Sequence, residues 1–212
     1  MMAGQSSACW VLVPVKAFSR AKLRLASVLS AGERKELAIA MATTVVEAAR
    51  PMPIAVVCDD AEVATWAEGL GVAVIWSPGG DLSTAVQDGV THLASAGVSH
   101  ALIVHADLPH AREIGPLTGW NGVTLVPDRH LDGTNAICIP TASDFRFSFG
   151  AGSFRAHVAE ASRRGLPLRI VRDQLLGWDI DLPPDLEAIE GTMFLAPRCQ
   201  LRAGRRIARN VD

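Results

Sequence analysis

The chain predicts a single α/β domain built on a mostly parallel sheet flanked by helices. Three observations carry that expectation. Short apolar runs alternate with segments of helical period throughout the first half. Such strand–helix–strand units run their strands parallel and cover both faces of the sheet. The chain has 212 residues, 49% of them hydrophobic, which suits one domain with a real core. No internal repeat is visible and no linker splits it.

Each element has its own signal. Trp10 to Val15 reads as a buried first strand. Ser30 and Glu33 form a capping box, and Leu37, Met41, Thr44, Val45 and Ala48 keep helical spacing to about Ala49, before Pro51 and Pro53. Ile54–Cys58 is the second strand. It ends in Asp59-Asp60, where a short helix starts and runs to Gly69. Val72–Trp76 is the third strand, Ser77–Asp81 a loop, and Leu82–Ala96 a helix with Ser83 and Thr84 at its start. His100–His105 is the fourth strand, followed by Ala106-Asp107-Leu108-Pro109. Gly122–Val126 and Ala136–Ile139 are further strands, Ser153–Arg164 a helix and Leu168–Val171 a strand. Trp178–Pro184 leads into a last helix near Asp185–Ile189. The domain is expected over residues 9–192, between a flexible tail (1–8) and a basic tail (193–212). Arg198, Arg202, Arg205, Arg206 and Arg209 in that second tail read as a solvated run.

Composition excludes several classes. A net charge of −2 and a pI near 6.3 give no general attraction to nucleic acid or to an anionic membrane. No apolar stretch approaches the length of a membrane span, and residues 1–8 lack the pattern of a signal peptide. A cytoplasmic protein is expected. Cys9, Cys58, Cys138 and Cys199 form no C-x-x-C pair, so they read as free thiols rather than as disulfides or zinc ligands.

Ligands of an open α/β sheet bind beyond the carboxyl ends of its strands. Four groups of residues fall there. Lys16, Lys22 and Arg24 follow strand one, and a flexible basic loop at that position would hold a triphosphate; a solvated loop is the plainer reading. Its spacing is neither a phosphate-binding G-x-x-x-x-G-K-[ST] loop nor a dinucleotide fingerprint. Asp107, before Pro109, is either a magnesium ligand or a helix cap. Asp179 and Asp181, at i and i+2 on extended chain, put both carboxylates on one side, where they need a cation. With Asp107 they could form a divalent-metal site, or one of them could cap the helix near Pro183. Finally, Asp128–Asn135 and Phe149–Phe154 are glycine-rich turns. Gly133, Gly150 and Gly152 would let backbone approach a ligand, Thr134 and Ser153 add hydroxyls, and a helix start at Ser153 would aim free N–H groups at an anion. Asp-Gly turns without ligands are also common. Of the histidines, His157 alone is placed near the site.

These residues together resemble one family. Pro14-Val15-Lys16 with Ala21–Leu25, Ala106–Pro109, Asp128-Arg129 with Gly133-Thr134-Asn135, Phe149–Ser153 and Asp179–Pro183 follow its order, from Val11 to about Ile189. It is the family of phosphoenolpyruvate and 2-phospholactate guanylyltransferases of coenzyme F-420 biosynthesis. The resemblance implies a single-domain nucleotidyltransferase fold of the GT-A or Rossmann-like kind. It implies GTP, a phosphorylated three-carbon acid and magnesium (Mg2+), with pyrophosphate released. It places the metal on Asp107 and on Asp179, Asp181 or both, the triphosphate on Lys16, Lys22 and Arg24, and the acid on Thr134, Gly150 and Ser153. Asp107, Lys16 and Lys22 would be the catalytic groups, and the helix start at Ser83 would lie near the base. A homodimer and a handover of product to the next enzyme of the pathway are compatible with it. One departure is Ala106, where glycine is usual, which bears on the pose of Asp107. The rival readings are another nucleotidyltransferase of similar fold and a non-catalytic nucleotide-binding regulatory protein.

Overall fold

A computed structural model describes residues 9–190. Both predicted tails, residues 1–8 and 193–212, and Cys199 lie outside the described residues. In chain order the elements are β1 (Cys9–Pro14), α1 (Ala31–Ala49), β2 (Ile54–Cys58), α2 (Ala61–Gly69), β3 (Ala73–Trp76) and α3 (Leu82–Ser95). Then come β4 (His100–Val104), β5 (Val123–Pro127), β6 (Thr134–Pro140), α4 (Ser153–Arg163), β7 (Leu168–Ile170) and α5 (Pro183–Glu190). The strands form one sheet in the order β3-β2-β1-β4-β6-β5-β7.

The sheet is mostly parallel, as expected. β1 pairs in parallel with β2 and β4, β2 with β3, and β5 with β7. β6 runs antiparallel to both of its neighbours, β4 and β5. Its first residues therefore arrive beside the carboxyl end of β4, where Val104 faces Ala136 and the His105 N–H donates to the Asn135 carbonyl. Thr134 and Asn135, expected in a turn, are the first two residues of this strand.

Central strands are buried on both faces, so successive residues feed two cores. Val11, Val13, Val56, Leu102 and Val104 pack with α1 and α2 on one face. Leu12, Val57, Ile103, Leu125 and Ile137 pack with α3 and α4 on the other. Each fully buried side chain of this size contributes about 1.5–3 kcal/mol.

Helix starts follow their caps. Ser30 Oγ accepts from the Glu33 N–H and the Glu33 carboxylate accepts from the Ser30 N–H, completing the predicted box. Asp60 caps α2. Asp81, rather than Ser83 or Thr84, caps α3 by accepting from the Thr84 N–H.

The basic segment after β1 is not a flexible loop. It folds as two 3-10 turns, Phe18–Arg20 and Leu23–Leu25. Phe18 is 2% exposed and meets the Trp66 ring edge-on, while Leu25 is fully buried. Two apolar anchors so close in sequence hold the intervening backbone, and Lys22 between the turns takes a left-handed conformation (φ 52°).

Candidate active site

The carboxyl ends of β1 and β4 open into a cavity of about 390 Å³. Lys16, Arg20, Lys22, Arg24, His105, Asp107 and Asp181 line its polar part. Met41, Phe18 and Leu82 line its apolar part. Thr134, Gly150, Ser153 and Ser83 are not on its walls.

Lys22 is the centre of the charged group. Its Nζ donates to Asp107 Oδ2 at 2.7 Å and to Asp181 Oδ1 at 3.0 Å. Burial disfavours the ammonium, but Asp107 and Asp181 outweigh it and hold the pKa above its ordinary value. Burial likewise works against the Asp107 carboxylate, and Lys22 and His105 pull its pKa below the usual range. Arg24 adds an outer contact at 3.6 Å from Asp181 Oδ2 and is 73% exposed, so it contributes little energy here. Lys16 is exposed at the rim. Ala106 has no positive φ, so alanine fits beside Asp107 without strain.

Asp179 and Asp181 do not present a matched pair. Asp181 faces Lys22 and Arg24, whereas the nearest cation to Asp179 is Arg129, 4.0 Å from its Oδ1. Burial, then the Asp107 charge, raises the Asp179 pKa. Among the described residues no three His, Cys, Asp or Glu side chains close around one point suited to an ion. Two carboxylates still fit magnesium, which takes one or two of them and completes its shell with water and substrate phosphates. Asp107 and Asp181 converge on one cation, and Asp107 Oδ1 is enclosed with no hydrogen-bond partner among the described residues.

Arg129 carries no assigned role in the sequence motif and Asp185 reads from sequence only as part of a helix, yet they hold the Asp179–Asp181 segment. Arg129 stacks on Trp178 with its guanidinium carbon 4.4 Å from the ring centroid, and NH1 donates to the Asp179 carbonyl at 3.1 Å. Its NH2 donates to Asp185 Oδ1. The other Asp185 oxygen accepts from the N–H groups of Asp181 and Leu182 at 2.8 and 2.7 Å. Burial opposes the Asp185 charge, but those N–H groups and Arg129 keep its pKa low. Asp185 reads locally as a first-turn acid of a helix, which hides this role.

The two glycine-rich turns are built differently from expectation. Asp128 closes the first on itself by accepting from the N–H groups of His130, Asp132 and Gly133. A Cβ on Gly133 would come within 2.8 Å of Asp128 Oδ2, so that glycine admits Asp128 rather than a ligand. In the second turn Gly150 (φ +123°) and Gly152 (φ +73°) adopt conformations that need glycine. The N–H groups at the start of α4 are not free: Ser153 donates to the Gly150 carbonyl and Phe154 to the Asp132 carbonyl. Ser153 itself is buried, and Gly152, with no side chain to offer, is the cap. Ser83 Oγ accepts from the Phe149 N–H at 2.9 Å, tying α3 to this turn. Phe149 also lies 5.1 Å, centroid to centroid, from the His105 ring, so the turn abuts the end of β4.

His157, placed near the site by the sequence, is fully buried one turn into α4. Its Nε2 accepts from the Ser148 N–H at 3.0 Å. The neutral ring then carries its hydrogen on Nδ1 and donates to Thr134 Oγ1, also 3.0 Å away. Burial, with a smaller contribution from His105, pushes its pKa down to about 4. Thr134 is thereby a buried partner of His157.

Residues 9–193 match the family described as "Guanylyl transferase CofC like". The chain belongs to that family. A phosphoenolpyruvate guanylyltransferase of Sphaerobacter thermophilus is 40% identical over 189 residues, 85% of this chain and 91% of that one. One of Roseiflexus castenholzii is 33% identical over 205 residues, 94% and 93% of the two chains. Among solved structures, a putative nucleotide-diphospho-sugar transferase of Desulfovibrio desulfuricans superposes with a TM-score of 0.70 at 17% identity, covering 85% of each chain. A nucleotidyl transferase of a Methanothermobacter species gives 0.61 at 16% identity, covering 88% of this chain and 97% of that one. These likenesses show the nucleotidyltransferase-type fold. Like its CofC-like relatives, the protein is a nucleotidyltransferase enzyme. Among the described residues no helix is long and apolar enough to cross a membrane.

Proposed function

We propose that this enzyme joins GTP to phosphoenolpyruvate, with 2-phospholactate as the alternative acid, and releases pyrophosphate as a step of coenzyme F-420 biosynthesis. A phosphate oxygen of the acid attacks the α-phosphorus of GTP. The bond from that phosphorus to the α,β-bridging oxygen breaks, and its electrons leave with pyrophosphate. The acid's phosphate is already dianionic near neutral pH, so it needs no strong general base, and no covalent enzyme intermediate is required.

The chain's own groups position and neutralise charge. Lys16, Lys22 and Arg24 line one cavity and supply cations for the triphosphate. Asp107 and Asp181 would hold Mg2+, joined by Asp179 if its carboxylate turns from Arg129. When bound, that ion polarises phosphate oxygens and stabilises the charge of the leaving pyrophosphate. The acid's subsite would lie at the second glycine-rich turn, where Gly150 is exposed, with Thr134 and Ser153, which are buried, bracing that turn from beneath.

The observation that carries this reading is the convergence of Lys22, Asp107 and Asp181 at the carboxyl ends of β1 and β4 in a CofC-like chain. The test is pyrophosphate release with GTP, Mg2+ and each acid in turn. Release with GTP and phosphoenolpyruvate, exceeding that with ATP or with 2-phospholactate, is expected. Release with neither acid would overturn the proposal, and a lactyl adduct as the dominant product would overturn the choice of acid.

A further inference from the structure

The Lys22 ammonium stands where an ion shared by Asp107 and Asp181 would stand. Nζ lies 2.7 Å from Asp107 Oδ2 and 3.0 Å from Asp181 Oδ1, and the side chain is 10% exposed. Magnesium bound by the same two oxygens would need them about 2.0–2.1 Å away. The ion and the ammonium therefore exclude one another. We infer that Lys22 is an internal counter-cation that keeps free divalent metal out of the ligand-free site and yields to a metal delivered with a triphosphate.

Three features support this. First, the backbone at Lys22 is fixed. Phe18 and Leu25 are buried on either side, and the residue sits in a left-handed conformation between two 3-10 turns. Only the side chain is left to move. Second, among the described residues the cavity that Lys22 lines offers other cations, Lys16, Arg20 and Arg24, but no further carboxylate beyond Asp107 and Asp181. A Lys22 that leaves these acids gains no anionic partner unless one enters. A triphosphate provides phosphate oxygens at that moment. Free metal provides none, and it must displace the ammonium and face Lys16 and Arg24 uncompensated. Third, Lys22 satisfies the acids only in part. Among the described residues Asp107 Oδ1 stays enclosed without a partner, a cost that an ion with several ligand positions removes.

The substrate this site takes is thus the metal–nucleotide complex, not the nucleotide and the ion separately. The inference rests on the proposed assignment of Asp107 and Asp181 to the metal, but its test does not need turnover. Manganese, a spectroscopic stand-in for magnesium, is titrated into the full chain without nucleotide, and free ion is read by electron paramagnetic resonance. Lys22→Met, neutral and of similar length, is expected to bind manganese at least tenfold more tightly than wild type. Lys22→Arg, which keeps the charge, is expected to stay within threefold of wild type. Adding Asp107→Asn to Lys22→Met is expected to remove the gain, which locates the ion. Equal or weaker manganese binding by Lys22→Met would overturn the inference, as would a gain that survives Asp107→Asn. Circular dichroism checks the fold of each variant, and Lys22→Gln is judged by the same criteria if Lys22→Met does not fold. Pyrophosphate release measured separately distinguishes the two failures. Turnover without the manganese difference rejects only the counter-cation, and the manganese difference without turnover rejects only the proposed reaction.

Discussion

Acidification should loosen the turn that carries Gly150 and Ser153, and His157 sets the pH at which this happens. The ring is buried, its Nε2 accepts from the Ser148 N–H and its Nδ1 hydrogen goes to Thr134. Protonation would put a second hydrogen where the Ser148 N–H already points. Of the ionisable neighbours, His105 disfavours the charged ring and Glu160 favours it less strongly. The folded pKa is about 4, against about 6.5 in an unfolded chain. Between those values the unfolded chain binds the proton and the folded one does not, so stability falls as pH falls through this window. The full difference of about 2.5 pH units corresponds to roughly 3 kcal/mol, of which about 2 kcal/mol is lost between pH 7 and pH 5. Urea unfolding of wild type and of His157→Gln at both pH values isolates the contribution. Glutamine offers an acceptor to Ser148 but does not titrate, and other ionisable groups cancel in the comparison. Wild type should lose about 2 kcal/mol more than the variant on going to pH 5. The same loss in both proteins would refute the reasoning, as would a His157 proton resonance titrating near 6.5.

Two further outcomes are expected. Asp107→Asn should abolish turnover at saturating magnesium while the fold persists, read by pyrophosphate release beside circular dichroism; a rate near wild type would remove Asp107 from the site. Asp185→Ala should destabilise the protein by about 3 kcal/mol in urea unfolding, because Arg129 and the N–H groups of Asp181 and Leu182 lose their common acceptor. It should also lower turnover at least tenfold through Asp179 and Asp181, and an unchanged stability would show that the contacts of Asp185 carry no load.

Much of the fold was legible because its signals are local. The Ser30–Glu33 box, the apolar runs of β1, β2 and β4, and the Asp59-Asp60 start of α2 each depend on residues a few positions apart. Hydrogen-bond chemistry and side-chain period act over that range, so sequence alone determined which segments are strands and which are helices. It also placed Lys22, Asp107 and Asp181 at the ends of such segments, where ligands of this architecture bind.

What only the tertiary structure decided is which groups meet. Strand direction is not written in an apolar run. Ala136–Ile139 reads the same either way, and pairing with β4 and β5 made it antiparallel, which brings Asn135 beside His105. The partner of a charge is equally invisible, since Lys22 meets acids 85 and 159 residues away and Arg129 meets one 56 residues away. Phe18 and Leu25 mark the basic segment as more than a solvated loop, but only their burial, Phe18 against Trp66, shows that they anchor it. In each case the deciding energy, burial or charge pairing, comes from chain segments that are distant in sequence and adjacent only once the sheet has formed.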